Sequence, residues 1–418
     1  MHEKKMSVVA ICCRHQSSFI AAHKRAISEH RTSLLVPASE WRQLPSLSAV
    51  FDIAGIWTDE PDNSALQPFD PESEMLTHES FLLSPSTWPD PLAILLTSGS
   101  TGQPKVVFKS RQAITGEVHA LQQRLKFNTS DYLVSTVPLA HMFGYIFAFL
   151  VPLFSRIDVH SRCVLLPAEL KDICQKSAKP VWLVTTPVHL RAYVALKIHF
   201  PNIAGVICAT SSLSSQLAKQ AALCFGVPIT EIYGSTETGA VASRLRHDDE
   251  LHEPCWIPLA GIDIKIDEEG RALCQAEHLD SAISLGDRLA PTESGFYLLG
   301  REGDMIKICG KRHSRQALNS LLSGVPGVRD SSYFFPHDAV ENQENARPLA
   351  FVVLDTDVTP LMVLNHLRGL MDEVFLPRPL CQLDSLPRSD TGKLSDADLG
   401  SLYLKWQEKR VPKNEKHS

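Results

Sequence analysis

Short apolar runs rich in β-branched residues alternate with segments of helical spacing along the first three-quarters of the chain. The pattern predicts strands at residues 92–96, 132–137, 181–185, 205–209 and 228–233. In the intervening segments apolar side chains recur on one helix face: Val118, Leu121 and Leu125 in one, and Leu217, Ala221 and Phe225 in another. Such alternation predicts an α/β fold in which helices cover a layered sheet.

The pattern changes after about residue 295, and the segment from residue 304 onward predicts a small α+β unit. Its predicted elements are a helix over 315–323 that Gly324 closes, strands near 331–335 and 349–354, and a helix with Thr359 as N-cap and Pro360 at its first position. The tail 405–418 carries five Lys or Arg against two Glu, which favours a solvated, frayed end.

Composition excludes several classes of protein. The 418 residues include 41 Lys and Arg against 47 Asp and Glu, a formal net charge of −6, whereas nucleic-acid binders are usually basic. Ten cysteines without a C-x-x-C pair argue against a disulfide framework or a structural zinc site and suit a cytoplasmic protein. The longest apolar run, 142–154, is interrupted by Gly144 and Pro152 and is shorter than a membrane span, so it predicts buried core or pocket wall.

A hydroxyl-rich loop at 97–105 follows a predicted strand and carries the first chemical signal. Its glycines let backbone N–H groups approach an anion, its hydroxyls add donors and its lysine adds charge: Thr97, Ser98, Gly99, Ser100, Thr101, Gly102 and Lys105. This composition suits a polyphosphate, although it fits neither the Walker A nor the G-x-G-x-x-G pattern. Taken alone, such a loop is about as often an ordinary surface turn.

A second loop at 233–239 also follows a predicted strand and reads YGSTETG. Its aromatic ring, hydroxyls and single carboxylate suit base packing, a phosphate contact and a hard cation held through Glu237. Three further segments follow in order, at 286–288, 300–307 and 386–393.

Together these segments resemble the adenylate-forming superfamily, which includes acyl- and aryl-CoA synthetases, the adenylation domains of nonribosomal peptide synthesis, and firefly luciferase. The likeness runs from about residue 92 to residue 394, and its two loops are its most specific part. The compact front end also looks like the ligases of aryl-polyene or fatty-acid-like clusters. Compared with the family, the segment before the first loop is short, and 209–213 reads ATSSL where glycines are usual.

The resemblance implies a nucleotide site with ATP and Mg²⁺ as cofactors. The 97–105 loop would hold the β- and γ-phosphates, Tyr233 would pack on adenine, and Thr236 would touch the α-phosphate. Glu237 would bind Mg²⁺, while Asp287 and Arg301 would lie by the ribose. Taken alone, Asp287 is more simply interpreted as a turn carboxylate. Arg301 could equally be a surface residue that pairs with an acidic side chain.

The resemblance also implies a domain boundary and catalytic residues. Gly303, where the family often has Asp or Lys, matches a hinge between an N-terminal domain at 1–302 and a mobile domain at 304–418. Lys393 matches the lysine that bridges the carboxylate and the α-phosphate, and Arg312 matches a phosphate contact. His141 matches a gate beside the carboxylate, with a buried core histidine as the alternative.

In the family that the chain resembles, the segment after His141 opens a helix along the acyl pocket, so the resemblance places the acyl group near residues 142–155. Residues 142–155 contain no charged side chain, so a substrate ammonium group would be desolvated there without a partner. On a helix Phe143 and Phe147 share one face; these rings, with Ser211 and Gly234, are the expected substrate contacts. This predicts an apolar acid, aryl or unsaturated, although both helix faces could simply be core.

The predicted reaction converts a carboxylic acid and ATP to an acyl-adenylate, and then transfers the acyl group to a pantetheine thiol of CoA or an acyl carrier protein. No nucleic-acid partner is expected. One alternative is an enzyme like an amino-acid adenylation domain, which would require a carboxylate soon after His141. The other is an inactive nucleotide-binding homologue, which would be free to lose Glu237, Asp287 and Lys393.

Overall fold

The computed structural model describes residues 5–59, 67–68, 85–98, 104–249, 252–301, 304–309, 311–336, 348–389, 392 and 394–410. The chain divides into two compact units, and the division falls between Leu298 and Leu299. The predicted hinge, Gly303, lies outside the described residues, so the boundary at that position stays a prediction.

The first sheet of the larger unit has six strands: β1 (Ser7–Ile11), β2 (Thr32–Leu35), β3 (Asp52–Thr58), β4 (Gln67–Pro68), β5 (Ala93–Ser98) and β6 (Pro104–Lys109). Their order is β4-β3-β1-β2-β5-β6, and every pair is parallel except β5 and β6. The α-helices α1 (Gln16–Ser28) and α2 (Leu44–Leu47) and 3₁₀ turns at Ala38–Gln43 and Pro85–Thr87 connect them. Apolar side chains of β1 are buried on both faces, as a sheet covered on both sides requires.

The second sheet of this unit has seven strands: β7 (Tyr132–Ser135), β8 (Asp158–Val159), β9 (Val181–Thr185), β10 (Ile203–Cys208), β11 (Ile229–Ser235), β12 (Gly239–Arg246) and β13 (Ile257–Pro258). Their order is β13-β12-β11-β10-β9-β7-β8. The strands from β11 to β8 run parallel, so their carboxyl ends share one edge. Four of the five strands predicted in the larger unit lie in this sheet and the fifth is β5 of the first sheet, and all five are confirmed within a few residues.

The helices around the second sheet are α3 (Arg111–Leu125), α4 (Met142–Tyr145), α5 (Val151–Ser155), α6 (Pro167–Lys176), α7 (Pro187–Ala195) and α8 (Ser215–Phe225). Helix α3 begins after Ser110, whose hydroxyl accepts from the N–H of Ala113, and ends at Lys126 in the left-handed region. Both predicted apolar faces, on α3 and α8, are buried. The layered α/β prediction is therefore confirmed.

A third sheet follows in the order β14 (Ile262–Ile266), β15 (Arg271–Ala276), β16 (Ile283–Pro291) and β17 (Phe296–Arg301). Strands β14, β15 and β16 are antiparallel neighbours. Their side chains alternate between buried and exposed along β15, which is the expected pattern for a sheet with one solvated face.

The smaller unit contains β18 (Met305–Ile308), β19 (Lys311–Ser314), β20 (Val328–Phe334), β21 (Leu349–Leu354) and β22 (Leu380–Gln382), with α9 (Arg315–Ser323), α10 (Pro360–Arg368), α11 (Asp396–Arg410) and a 3₁₀ turn at Glu373–Phe375. The predicted helices over 315–323 and from Pro360 are confirmed, including the Thr359 cap. The prediction that the chain is frayed from Lys405 was wrong as far as Arg410. Trp406 packs beside a hydrophobic cluster there and stacks on Tyr403, which extends the helix.

The apolar run at 142–154 is buried core, as predicted. It forms one continuous helical segment, with π-helical geometry at Ile146–Leu150 between α4 and α5. Tyr145 and Phe149 contact each other, and the Tyr145 hydroxyl lies 2.8 Å from Nε2 of the buried His23. Nδ1 of His23 lies 2.8 Å from the Ser33 hydroxyl, so this chain of contacts ties the segment to α1 and β2. In the described residues no helix is long and apolar enough to span a bilayer.

Burial of His23 predicts a pH dependence of stability. Desolvation lowers its pKa to about 3, so below the ordinary value of about 6.5 the unfolded chain binds a proton that the folded chain does not. We expect the free energy of unfolding to fall by about 2 kcal/mol between pH 7 and pH 5 from this group alone. By urea unfolding, the difference in unfolding free energy between pH 7 and pH 5 should be smaller by that amount in His23→Gln than in wild type. An unchanged difference in His23→Gln would contradict the assignment.

Candidate nucleotide and acyl-activation site

The turn between β11 and β12 lies at the carboxyl edge of the second sheet and admits only glycine at two positions. A Cβ on Gly234 would lie 2.1 Å from the carbonyl oxygen of Gly239, and Gly239 itself has φ of +73°. The first restriction follows from the close approach of the two strands and the second from the left-handed backbone conformation. The two glycines of YGSTETG are therefore required by a tight turn.

Hydroxyl groups hold this turn from within. The N–H of Ser235 donates to the Thr238 hydroxyl at 3.1 Å, and the N–H of Thr238 donates to the Ser235 hydroxyl at 3.1 Å. Thr238 also donates to the carbonyl of Gly239. Thr236 and Glu237 lie at the tip between these residues and are half-buried.

Glu237 is paired with the lysine of the first loop. Nζ of Lys105 lies 2.7 Å from Oε1 of Glu237. Burial by itself would raise the pKa of Glu237, but hydrogen bonds from Lys105, from its own N–H and from Ser235, together with the charge of Lys105, outweigh burial and lower the pKa. Glu237 is therefore ionised at neutral pH and offers the hard oxygen ligand that a divalent cation needs.

Tyr233, near the end of β11, packs among side chains from other elements of the larger unit. The Tyr233 hydroxyl donates to Oδ2 of Asp287 at 2.7 Å. The Tyr233 ring packs against Trp256 and Phe296, with centroids at 5.5 Å and 5.9 Å. The guanidinium of Arg244 covers the Trp256 ring at 4.2 Å. This packing fixes one ring in a half-buried position and a carboxylate beside it.

A buried ion cluster supports the strands that carry Tyr233. Oε2 of Glu231 accepts from Arg244 at 2.8 Å and from Arg246 at 3.0 Å, and all three side chains are buried. Arg246 also donates to the hydroxyl of Ser215, at the start of α8. The cluster joins β11, β12 and α8 through charge-assisted bonds.

The structure describes only the ends of the 97–105 loop. Thr97 lies opposite Lys105 across β5 and β6, and its hydroxyl donates to the Lys105 carbonyl at 3.4 Å. Ser98 pairs with Pro104 through the backbone. The remaining predicted phosphate contacts lie outside the described residues: Gly99, Ser100, Thr101 and Gly102.

The other predicted site residues are described to different extents. Arg301 is exposed at the end of β17. The backbone of Arg312 lies in β19 opposite Lys307, and its side chain is outside the described part. Lys393 also lies outside the described residues. The roles assigned to these residues stay predictions.

The expected acyl contacts lie at the second sheet's carboxyl edge and on the helical segment that follows β7. His141 precedes α4 and is half-buried. Phe143 and Phe147 contact each other at 5.0 Å, as their shared face predicted; Phe143 is partly exposed, whereas Phe147 is buried in the core. Ser211 and Gly234 are exposed after β10 and near the end of β11.

Lys109 and Glu117 are two charged residues near the turn that sequence reasoning did not single out. Nζ of Lys109 donates to the carbonyl of Glu237 at 3.1 Å, and Oε1 of Glu117 accepts from the N–H of Ala240 at 2.7 Å. A signal was available, because Glu117 interrupts the apolar face that Ile114 and Leu121 define on α3.

The residues present fit a Mg²⁺–nucleotide. Mg²⁺ is usually held through one or two carboxylates plus substrate phosphates, and Glu237 supplies one ionised carboxylate beside Lys105. Within the described ranges no group of three or more His, Cys, Asp or Glu side chains could hold a metal by itself. The arrangement therefore suits a cation that arrives with phosphate ligands.

The sequence pattern of the family described as "AMP-binding enzyme" matches residues 10–278. The chain belongs to the AMP-binding enzyme family. The match includes both hydroxyl-rich loops and the first two sheets, so the resemblance to adenylate-forming enzymes is confirmed at the level of family.

Curated relatives of this AMP-binding protein are distant. A 4-coumarate–CoA ligase of Cereibacter sphaeroides is 26% identical over 264 residues, which are 62% of this chain and 59% of the relative. A 2-succinylbenzoate–CoA ligase of Enterococcus faecalis is 20% identical over 366 residues, 79% of this chain and 73% of the relative. The vanchrobactin synthetase VabF of Vibrio anguillarum is 25% identical over 369 residues, 72% of this chain but 13% of the relative.

Solved structures share the fold over nearly the whole chain. The o-succinylbenzoate CoA synthetase MenE of Bacillus subtilis, in complex with its acyl-adenylate, has a TM-score of 0.76 at 18% identity and covers 95% of this chain and 88% of its own. The anthranilate CoA ligase AuaEII, in complex with anthranoyl-AMP, also has a TM-score of 0.76, at 16% identity, and covers 96% and 88%. At these identities the likeness establishes the fold.

The Tyr233–Asp287 hydrogen bond predicts a change in AMP affinity. Tyr233→Phe keeps the ring but leaves Asp287 without this donor, so we expect AMP to bind about three- to tenfold more weakly by calorimetry. Tyr132→Phe is the matched control, because its hydroxyl contacts His160 on another part of the sheet. Equal AMP affinity in wild type and Tyr233→Phe would contradict a role for this pair in nucleoside binding.

Proposed function

We propose that this protein is an AMP-forming carboxylate–thiol ligase. The observation that carries the proposal is the turn at 235–239, beside which an ionised Glu237, the Lys105 ammonium and the Tyr233–Asp287 pair are positioned. These are the groups that a cation, a phosphate and a nucleoside need. Relatives and structural neighbours named as CoA ligases support the same reaction class.

The chemistry follows from the weakness of a carboxylate as an electrophile. Formation of an acyl-adenylate supplies AMP as a good leaving group, and a thiol then displaces it. The protein contributes by aligning the reactants and by offsetting the negative charge of the phosphates. Mg²⁺, when bound through Glu237, offsets phosphate charge. Lys105 is released from Glu237 to a phosphate, and Asp287 orients the ribose together with Arg301.

For the acid, we propose an apolar aryl or unsaturated carboxylate. The supporting observation is the absence of charge along 142–155 together with the partly exposed ring of Phe143. His141 borders the reacting carboxylate, and Phe143, Ser211 and Gly234 contact the acyl group, while the buried Phe147 packs behind Phe143. The thiol acceptor is coenzyme A or the phosphopantetheine of a carrier protein.

An exchange assay tests the reaction and the acid together. ATP–pyrophosphate exchange and hydroxamate trapping would be measured with cinnamate-like, benzoate-like, medium-chain fatty and amino acids. We expect exchange with the aryl or unsaturated acids. A preference for a free amino acid would favour an enzyme like the adenylation domains, to which the VabF match also points. AMP binding without exchange for any acid would favour an inactive homologue.

Lys393→Ala separates the two half-reactions. In the proposal Lys393 bridges the carboxylate and the α-phosphate, so its loss should abolish acyl-adenylate formation. Thioester formation from supplied acyl-adenylate should continue, since the proposal gives Lys393 no role there. The proposed domains at 1–302 and 304–418, with a hinge at Gly303 and a phosphate contact from Arg312, belong to this two-step scheme. Equal loss of both half-reactions would contradict it.

A further inference from the structure

Two charged side chains are buried beneath the turn that carries Glu237. Lys109, at the end of β6, is 2% exposed, and Glu117, on α3, is 3% exposed. Neither is assigned a role in the reaction proposed above. Charged groups at this depth are retained only where specific partners offset the loss of hydration.

Strand β6 directs two lysines to one residue. Residues 105 and 109 are on the same face of the strand because side chains alternate with a period of two. Lys105 contacts the Glu237 carboxylate at 2.7 Å, while Lys109 donates to the Glu237 main-chain carbonyl at 3.1 Å. Glu237 is thereby held at its side chain and its backbone from one strand.

Glu117 holds the other side of the same turn. Its Oε1 accepts from the N–H of Ala240, the residue that follows Gly239 into β12. Its Oε2 would lie 2.3 Å from a Cβ on Gly239, so the carboxylate rests directly against the glycine backbone. This contact gives a second reason why position 239 requires glycine.

The two charges also depend on each other. Burial lowers the pKa of Lys109 and raises that of Glu117 to about 7, and in each case the charge of the other opposes the shift. Burial lowers the pKa of His278, which lies beside α3, and the charge of Lys109 lowers it further. An apolar pair would avoid this desolvation, but it would leave the Glu237 carbonyl and the Ala240 N–H without these partners.

We propose that Lys109 and Glu117 are positioning residues that hold the main chain from Glu237 to Ala240, so that the Glu237 carboxylate is presented to a Mg²⁺–nucleotide. The inference rests on the proposed role of Glu237. It extends that role to two residues that touch the loop only through its backbone.

To test this, Mg²⁺-dependent binding of a fluorescent ATP analogue and thermal unfolding would be measured for wild type, Lys109→Met and Glu117→Met. Groups that orient a metal ligand typically change metal affinity by about ten- to a hundredfold. We therefore expect the Mg²⁺ concentration for half-maximal binding to rise by about tenfold or more. Glu117→Gln keeps an acceptor oxygen for Ala240, and Lys109→Gln keeps a donor; both should recover part of the loss.

Asp131→Leu is the matched control for a purely structural role. Asp131 is equally buried and accepts from the N–H of Asn128 and from the Trp182 indole, at the amino end of β7. This variant should unfold at a lower temperature and keep the wild-type Mg²⁺ requirement. The proposal is overturned if Lys109→Met and Glu117→Met lower the unfolding temperature and leave the Mg²⁺ requirement unchanged. Where the Met variants do not fold, the same result with Lys109→Gln and Glu117→Gln overturns it.

The binding readout keeps this inference separate from the ligase proposal. If wild type shows no exchange with any acid but binds the nucleotide with Mg²⁺, the shift in Mg²⁺ requirement still tests Lys109 and Glu117. If Glu237→Gln leaves Mg²⁺-dependent binding unchanged, the role of Glu237 is wrong, and the positioning inference fails with it.

Discussion

The candidate site depends on the packing of β6 and α3 against the turn between β11 and β12. Strand β6 belongs to the first sheet and the turn to the second. Three contacts join β6 and α3 to the turn: Lys105 to the Glu237 side chain, Lys109 to its carbonyl, and Glu117 to Ala240. Because two of these charged groups are buried, a small displacement would leave them without partners at a high desolvation cost. The relative position of the two sheets is therefore restricted at the point where a cation and a phosphate would bind.

The same constraint explains why the turn has little freedom in sequence. Gly234 and Gly239 have no space for a side chain, and Ser235 and Thr238 satisfy each other's N–H groups. Thr236 and Glu237 are left as the half-buried side chains at the tip. A rigid backbone with two available functional groups suits a site that acts mainly by orientation and charge.

The larger unit contains one charged environment, at the turn, and one uncharged environment, along the helical segment that follows β7. The turn brings lysines, carboxylates and a tyrosine together, while the helical segment from Met142 to Ser155 contributes only uncharged side chains. The contact of Tyr145 with His23 anchors that segment through a neutral imidazole, since burial lowers the pKa of His23 far below neutrality. This division supports the proposal of an apolar acid and a charged nucleotide as the two substrates.

Much of the fold follows from local sequence signals. Strands such as Val181–Thr185 are apolar and β-branched, and helices such as Arg315–Ser323 and Pro360–Arg368 have explicit caps, so short-range rules place them. The segment from Lys405 to Arg410 is helical, whereas the sequence predicted a frayed end, because its charge composition is typical of a solvated tail. Trp406 stabilises the helix there, because it stacks on Tyr403 and packs beside a hydrophobic cluster from distant parts of the chain.

The sequence by itself predicted which residues carry the chemistry of the turn, because hydroxyls, glycines and a carboxylate in this order resemble a loop of the adenylate-forming enzymes. The roles of these residues stay predictions. The sequence did not determine what lies behind them. Lys109 and Glu117 are separated from Glu237 by more than a hundred residues along the chain. Their burial arises only when two sheets pack together. Long-range packing sets the desolvation and the hydrogen-bond partners of a charged group, so the tertiary structure alone decided which charges support the site.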